Sequence, residues 1–273
     1  HKRTNAIATT NLLTHPQNYF NTQGATLLIS FARSGNSPES LAAVHLANRF
    51  CKTIYHLIIT CSPSGKLARG TSEHPTFVFL LPPEANDQGL AMTGSFSAML
   101  LTGLLISRID QLQELTVQVN RLARYGTGLI EQYSTVLRQV AQLNFDRAVF
   151  LGSGPLYGAA REGHLKMQEL TDGKVICKCD SFLGFRHGPK VVITPQTLLV
   201  YLFSNDHYAH QYESDLVAAI NNGEKGLYQI GISEAPTHPG LDLEINLSGH
   251  TEQLEEDFLA VCYILPIQIL SFF

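Results

Sequence analysis

The chain is 273 residues long, 44% hydrophobic and 15% charged, with a formal net charge of -4. This is the composition of one large or two ordinary folded domains, not of a disordered chain. The balance of charge leaves no basic stripe for nucleic acid, and no run reaches the roughly 18 apolar residues of a membrane span.

The first ten residues read as strand over Asn5–Thr9, and Leu12–Phe20 as a short helix or loop interrupted by Pro16. Ala25–Ala32 is a continuous apolar run of strand length that leads into Arg33-Ser34-Gly35-Asn36-Ser37-Pro38. Ser37 suits an N-cap and Pro38 the first helical position, which predicts a helix through Phe50. Tyr55–Cys61 and Thr76–Leu81 read as further strands. Gly89–Ile109 reads as a long helix of small and apolar residues, followed by a more polar helix over Gln111–Gln142. The second half repeats the alternation. A strand ending at Leu151 meets the turn Gly152-Ser153-Gly154 and a helix to about Leu170. Strands follow at Lys174–Cys179 and Thr197–Phe203, then a helix at Gln211–Asn221, strands at Gly226–Ile232 and Leu241–Leu247, and a helix over Thr251–Leu270. The apolar end, Phe258–Phe273, is interrupted by Pro266 and Gln268 and reads as a buried helix.

Apolar strands alternating with helices predict parallel sheets covered on both faces. The expected class is α/β, with two doubly wound, flavodoxin-like domains over 1–115 and 116–273. The two sets are out of phase, because only the second has a glycine turn after its opening strand. The first domain is therefore expected to lack its opening strand and helix. With the apolar helix running to Phe273, the chain reads as a fragment. Five cysteines, odd in number and set in apolar runs, predict reduced, buried thiols and a cytoplasmic protein. Cys177 and Cys179 share a strand and would point to opposite faces, a poor arrangement for a metal.

Five groups of residues could carry chemistry. In Arg33-Ser34-Gly35-Asn36-Ser37 two hydroxyls, a glycine and a capped helix N-terminus converge where a phosphate would sit; a plain N-cap turn needs only Ser37 and Pro38. Thr93 and Ser95 could add hydroxyls, or simply start a helix. Gly152-Ser153-Gly154 with Gly158 approaches a dinucleotide fingerprint, with Asp180 at the end of the next strand, but its third glycine is one place late. The turn also leaves backbone N–H groups free at a helix N-terminus, where the substrate's phosphate could bind to Gly152, Ser153 and Gly154; the plain alternative is a tight strand-to-helix turn. Glu162, Lys166 and Glu169 share one helix face, either as a solvated ion-paired face or as acid–base machinery, with Glu169 as base. His187, held in Arg186-His187-Gly188-Pro189, is a residue type suited to moving protons, although a lone loop histidine is commonly structural.

SFARSGNSPES (Ser30–Ser40), GLAMTGSF (Gly89–Phe96), GSGPLYGAAREGHLKMQELTDGK (Gly152–Lys174) and FRHGPK (Phe185–Lys190) together resemble the SIS (sugar isomerase) family, and most closely its tagatose-6-phosphate ketose/aldose isomerase branch. The resemblance covers nearly the whole chain. It implies two phosphosugar-binding domains, phosphate contacts from Ser34 and Ser37 within the Arg33–Ser37 turn, and companion hydroxyls from Thr93 and Ser95. It also implies Glu169 as the base that moves a proton between C1 and C2, Lys166 beside it, and His187 as the ring-opening residue. In one member of that family the matching histidine comes from the partner subunit, so a homodimer with a shared site is implied. The expected substrate is a phosphorylated amino sugar, with no metal or organic cofactor. The family's first G-x-G-T-S type turn and its C-terminal tail are absent. Two other functions remain open: a non-catalytic phosphosugar sensor, which has no need of Glu169, Lys166 and His187 together, and a nucleotide-dependent oxidoreductase.

Overall fold

The computed structural model describes residues 4–20, 23–70, 73–235, 240–248 and 253–273. By their contacts the residues fall into two compact units, 1–99 and 100–273.

In the first unit, β1 (Ala25–Ala32), β2 (Thr53–Thr60) and β3 (Thr76–Leu80) form a parallel sheet in that order. The register sets Ala32 beside Thr60 and Thr60 beside Leu80, so all three strands end level. Their following loops therefore share one edge, where parallel α/β sheets bind ligands. Helices α1 (Thr9–Thr14) and α2 (Pro38–Phe50) cover one face. Leu12, Phe20, Ala43, Ala47 and Ile54 make one core there, and Ala32, Val44, Ile58 and Leu67 another. The strand expected at Asn5–Thr9 does not form. Thr9 instead begins α1, whose turn carries Leu12 into the core beside Ala43 and Ala47, and tertiary packing of this kind overrides weak local preference. The expectation of cover on both faces also fails for this sheet. The outward side chains Leu27, Phe31 and Phe77 are 57%, 50% and 65% exposed. An apolar run without alternation predicted two buried faces, and only one is buried.

Helix α3 (Gly94–Ser107) follows. The second unit holds the 30-residue α4 (Leu112–Ala141) and a five-stranded parallel sheet. Its strands are β4 (Arg147–Gly152), β5 (Ile176–Asp180), β6 (Thr197–Leu202), β7 (Tyr228–Ser233) and β8 (Leu243–Asn246). They lie in the order β5-β4-β6-β7-β8, the doubly wound order of the flavodoxin-like fold. The short α6 (Phe182–Arg186), absent from the sequence reading, and α7 (His207–Asn221) cover one face. Phe182, Phe185, Leu216, Val217 and Ile220 meet Val149, Leu151, Leu199 and Tyr201 of the sheet there. Helix α5 (Gly154–Leu170) packs on the other face, against α8 (Glu256–Phe272), which also packs on α4. Twelve of the 17 residues of α8 are buried, as expected for the apolar end, although Phe272 is exposed; the helix expected from Thr251 begins at Glu256, and residues 251–252 lie outside those described. Among the described residues no helix is long and apolar enough to cross a membrane.

Strands β4 and β6 are neighbours whose following helices, α5 and α7, go to opposite faces. The crevice between their carboxyl ends is the switch point of this sheet. It places Ser153 and Ser204 at one edge.

Candidate active site

In the first unit, the Arg33–Ser37 turn leaves β1 at the shared loop edge. Gly35 has φ +63, in the left-handed region that glycine enters without strain. Gly65 of the loop after β2 lies so close that a Cβ there would collide with the Ser34 carbonyl oxygen. The same loop is tied down by Lys66 N–H donating to Asn36 Oδ1 at 3.0 Å and Leu67 N–H to Gly35 O at 3.1 Å. Ser37 caps α2, its Oγ accepting from Ser40 N–H at 3.3 Å. Ser34, Asn36 and Ser37 are exposed residues beside a helix N-terminus, although Ser34 Oγ accepts from Asn36 N–H at 3.3 Å and Ser37 Oγ donates to Ser40 Oγ at 2.6 Å. Arg33 is turned aside to donate to the carbonyls of Gly89 and Leu90, the first at 2.8 Å.

Thr93 and Ser95 have a partner that sequence reasoning missed. Both hydroxyls donate to the Asp87 carboxylate, which also accepts from Gly94 N–H at 2.8 Å and Ser95 N–H at 3.2 Å. Burial pushes the Asp87 carboxyl up, but the hydrogen bonds from Ser95 and Thr93 outweigh it and hold its pKa below the ordinary value. The start of α3 therefore already has an anion of its own, and Ser95 is fully buried. Asp87 sits seven residues before Gly94, outside any local capping pattern, so nothing in the sequence marked it.

In the second unit, α5 presents the expected trio. Lys166 Nζ lies 2.5 Å from Glu169 Oε2 and 3.4 Å from Glu162 Oε1. The Lys166 side chain is only 3% exposed, that of Glu162 14% and that of Glu169 40%. This is not a solvated face: it is a buried ammonium between a sheltered carboxylate and an accessible one. Burial raises the Glu162 pKa above the ordinary carboxylate value against the pull of Lys166. A carboxylate that meets solvent while a buried cation holds it can take and return a proton. His187 is exposed at the C-terminus of α6. No hydrogen bond or ion pair joins it to Lys166 or Glu169 among the described residues.

The Gly152–Gly154 turn is tight: a Cβ at Gly152 would collide with Leu156 O, and Gly154 has φ +50. The chain's own carboxylates gather at it. Glu213 of α7 is fully buried, bonded to Ser204 N–H at 2.9 Å and stabilised by the Ser153 hydroxyl. Glu256 accepts from Ser204 Oγ, and its other oxygen would lie 3.4 Å from a Cβ at Gly154. Two acidic groups so placed leave poor prospects for a substrate anion. Asp180, the acid of the dinucleotide reading, accepts from Ser181 N–H at 2.9 Å and pairs with Lys178 at 3.2 Å. Among the described residues no three His, Cys, Asp or Glu side chains group as a metal site. All five cysteines are free: Cys51, Cys61 and Cys262 are buried, while Cys177 and Cys179 are partly exposed.

No protein-family model matches this chain. It is 38% identical over 269 residues to the D-galactosamine-6-phosphate deaminase AgaS of Shewanella sp. ANA-3, covering 98% of this chain and 66% of that protein. It is 37% identical over 268 residues to the enzyme of the same name from Escherichia coli O157:H7, covering 96% of this chain and 69% of the relative. The crystal structure of tagatose-6-phosphate ketose/aldose isomerase from Escherichia coli superposes with a TM-score of 0.88 at 35% identity, over 97% of this chain and 72% of that one. The chain spans 57% of the length of a Streptomyces coelicolor relative to which it is 42% identical. With likeness of sequence and fold running through all but a few of its residues, the chain belongs to the sugar isomerase (SIS) family, in the branch that holds the AgaS proteins.

Proposed function

We propose that the protein bearing this chain is a phosphosugar isomerase/deaminase that converts galactosamine 6-phosphate and water to tagatose 6-phosphate and ammonia. The observation that carries this reading is the accessible Glu169 carboxylate held by a buried Lys166, in a chain similar to proteins named for that deamination. Glu169 takes the proton from C2 of the open-chain sugar and returns it to C1 through an enol-type intermediate. An imine is left at C2, and water hydrolyses it to the ketose and ammonia. Lys166 stabilises the oxygen on which negative charge grows. This route calls on no metal or organic cofactor.

The sugar's phosphate is given to the Arg33–Ser37 turn, where exposed hydroxyls and the α2 N-terminus favour an anion. Thr93 and Ser95 support that loop edge through Asp87 and do not face the ligand. The Gly152–Gly154 turn serves the fold. His187 opens the ring in a neighbouring subunit, so the working form is a cytoplasmic homo-oligomer.

The test is ammonia release from galactosamine 6-phosphate by the full-length protein, with tagatose 6-phosphate followed in parallel. Wild type is expected to form both products, and Glu169→Gln to lose at least about 10²-fold in kcat. Mixing Glu169→Gln with His187→Ala subunits should restore part of the activity if the site is shared. Full activity of Glu169→Gln would remove the proposed base, and sugar-phosphate binding without turnover would make the protein a sensor.

A further inference from the structure

Lys166 has two counter-ions where an ion pair needs one, and the chemistry proposed above removes one of them. When Glu169 accepts the substrate proton, the C2–H bond breaks, its electron pair enters the sugar's enol system, and a new O–H bond forms on the carboxyl. Glu169 is then neutral and no longer balances Lys166. Left alone, the ammonium would be a buried, uncompensated charge, which is strongly unfavourable.

We propose that Glu162 is a positioning residue for this proton transfer, holding the Lys166 ammonium charged and in place while Glu169 is protonated. The inference rests on the function proposed above and deepens it. Glu162 sits one helical turn before Lys166, with Oε1 3.4 Å from Nζ, while Glu169 makes the shorter bond from one turn after it. The sheltered Glu162 persists as the partner when the accessible one changes charge. Before transfer the trio carries one net negative charge, and after it none; without Glu162 it would pass from none to one buried positive charge.

The packing of α5 supports this division. At Gly163, next to Glu162, the helix approaches α8 so closely that a Cβ would lie 2.8 Å from Ile267 Cδ1. The neighbour met there is apolar and offers no competing charge. Lys166 and Glu169 are the charged groups that act on Glu162, and no charged side chain of α8, β4 or β5 is among them. Glu162 is also the carboxylate of the trio whose pKa burial raises, so its loss of charge in mild acid should be visible in the rate.

The experiment compares wild type, Glu162→Gln, Glu162→Asp and Glu169→Gln in the full-length protein, with kcat and KM for galactosamine 6-phosphate measured across pH. Glu162→Gln is expected to lower kcat by about 10-fold to 10²-fold with KM changed less than about 3-fold. It should also lose the acid limb of kcat that wild type shows above the ordinary carboxylate range. Glu162→Asp, which keeps the charge on a shorter arm, should recover part of kcat and the limb. A wild-type kcat and pH profile in Glu162→Gln would overturn the proposal. So would equal loss in the Gln and Asp variants together with loss of cooperative melting, which marks a role in folding alone. No turnover by wild type on either sugar phosphate would instead sink the underlying function, and this inference with it.

Discussion

Glu213 shows how a single buried acid can set the response of this fold to pH. Burial pushes its carboxyl up to about 7 from an ordinary 4.5, and neighbouring Glu256 and Asp206 push the same way. The Ser204 N–H and Ser153 hydroxyl pull back without winning, and His210 lies 3.8 Å away. The group binds its proton more tightly folded than unfolded. Between about pH 4.5 and about 7 the folded state therefore holds the extra proton, and stability falls as pH rises through that window. The contribution is fully present below the window and amounts to at most about 3 kcal/mol. Glu213→Gln, whose amide oxygen can still accept from Ser204 N–H, should flatten this dependence and melt above wild type at pH 8. Thermal melts of both proteins from pH 5 to pH 8 check it; parallel curves would mean that Glu213 is charged in the fold throughout. Residues of this kind were not legible in the sequence. Glu256 acquires its role from Ser204, far along the chain, and Asp87 and Glu213 from groups six to nine residues away across a loop, at no helical spacing, whereas Glu162, Lys166 and Glu169 were found because one helix spaces them.

At the level of elements, the N-terminus of α2 has two readings that one position can separate. Ser37 caps the helix through Ser40 N–H, and it is an exposed residue of the turn where the sugar phosphate is proposed to bind. Ser37→Ala should cost about 1 kcal/mol of stability and also raise KM. Ser37→Asp restores an equally good cap but sets a negative charge where the phosphate would come. Stability should therefore return while KM rises at least about 10-fold, from melting and kinetics on the same preparations. An unchanged KM in the Asp variant would reduce the turn to a cap. The elements themselves were largely legible, because each buried strand is an apolar run closed by a turn. Ala25–Ala32 is a strand over the very residues expected. The failures have physical causes. No strand forms at Asn5–Thr9, and α1 starts at Thr9, because Leu12 is drawn inward by α2. The five-residue α6 depends on Ser181 accepting from Gly184 N–H, a cap too short-ranged to stand out from a loop.

For the molecule as a whole, the two sheets differ in how much water they exclude, and that difference predicts how the chain opens. All six residues of β6 are buried, as are five of the six in β4 and in β7. In β1 alternate residues are exposed, and four of the five in β3 are. Local opening follows cover, because a sheet with one bare apolar face gains less burial for the backbone entropy it gives up. In hydrogen exchange under native conditions, amides of β4, β6 and β7 should exchange last, through global unfolding. Those of β1, β2 and β3 should exchange earlier and together, as one sub-global unit within residues 1–99. The bare face should also register in substitution. Phe77→Thr removes a side chain that is mostly in water and should leave the unfolding free energy within about 0.5 kcal/mol of wild type, while reducing binding of an apolar dye. Val44→Ala, on the covered face of the same sheet, should cost roughly 2 kcal/mol. If the strands of both sheets were protected equally, or if Phe77→Thr destabilised as much as Val44→Ala, the outward face would have to be covered in solution.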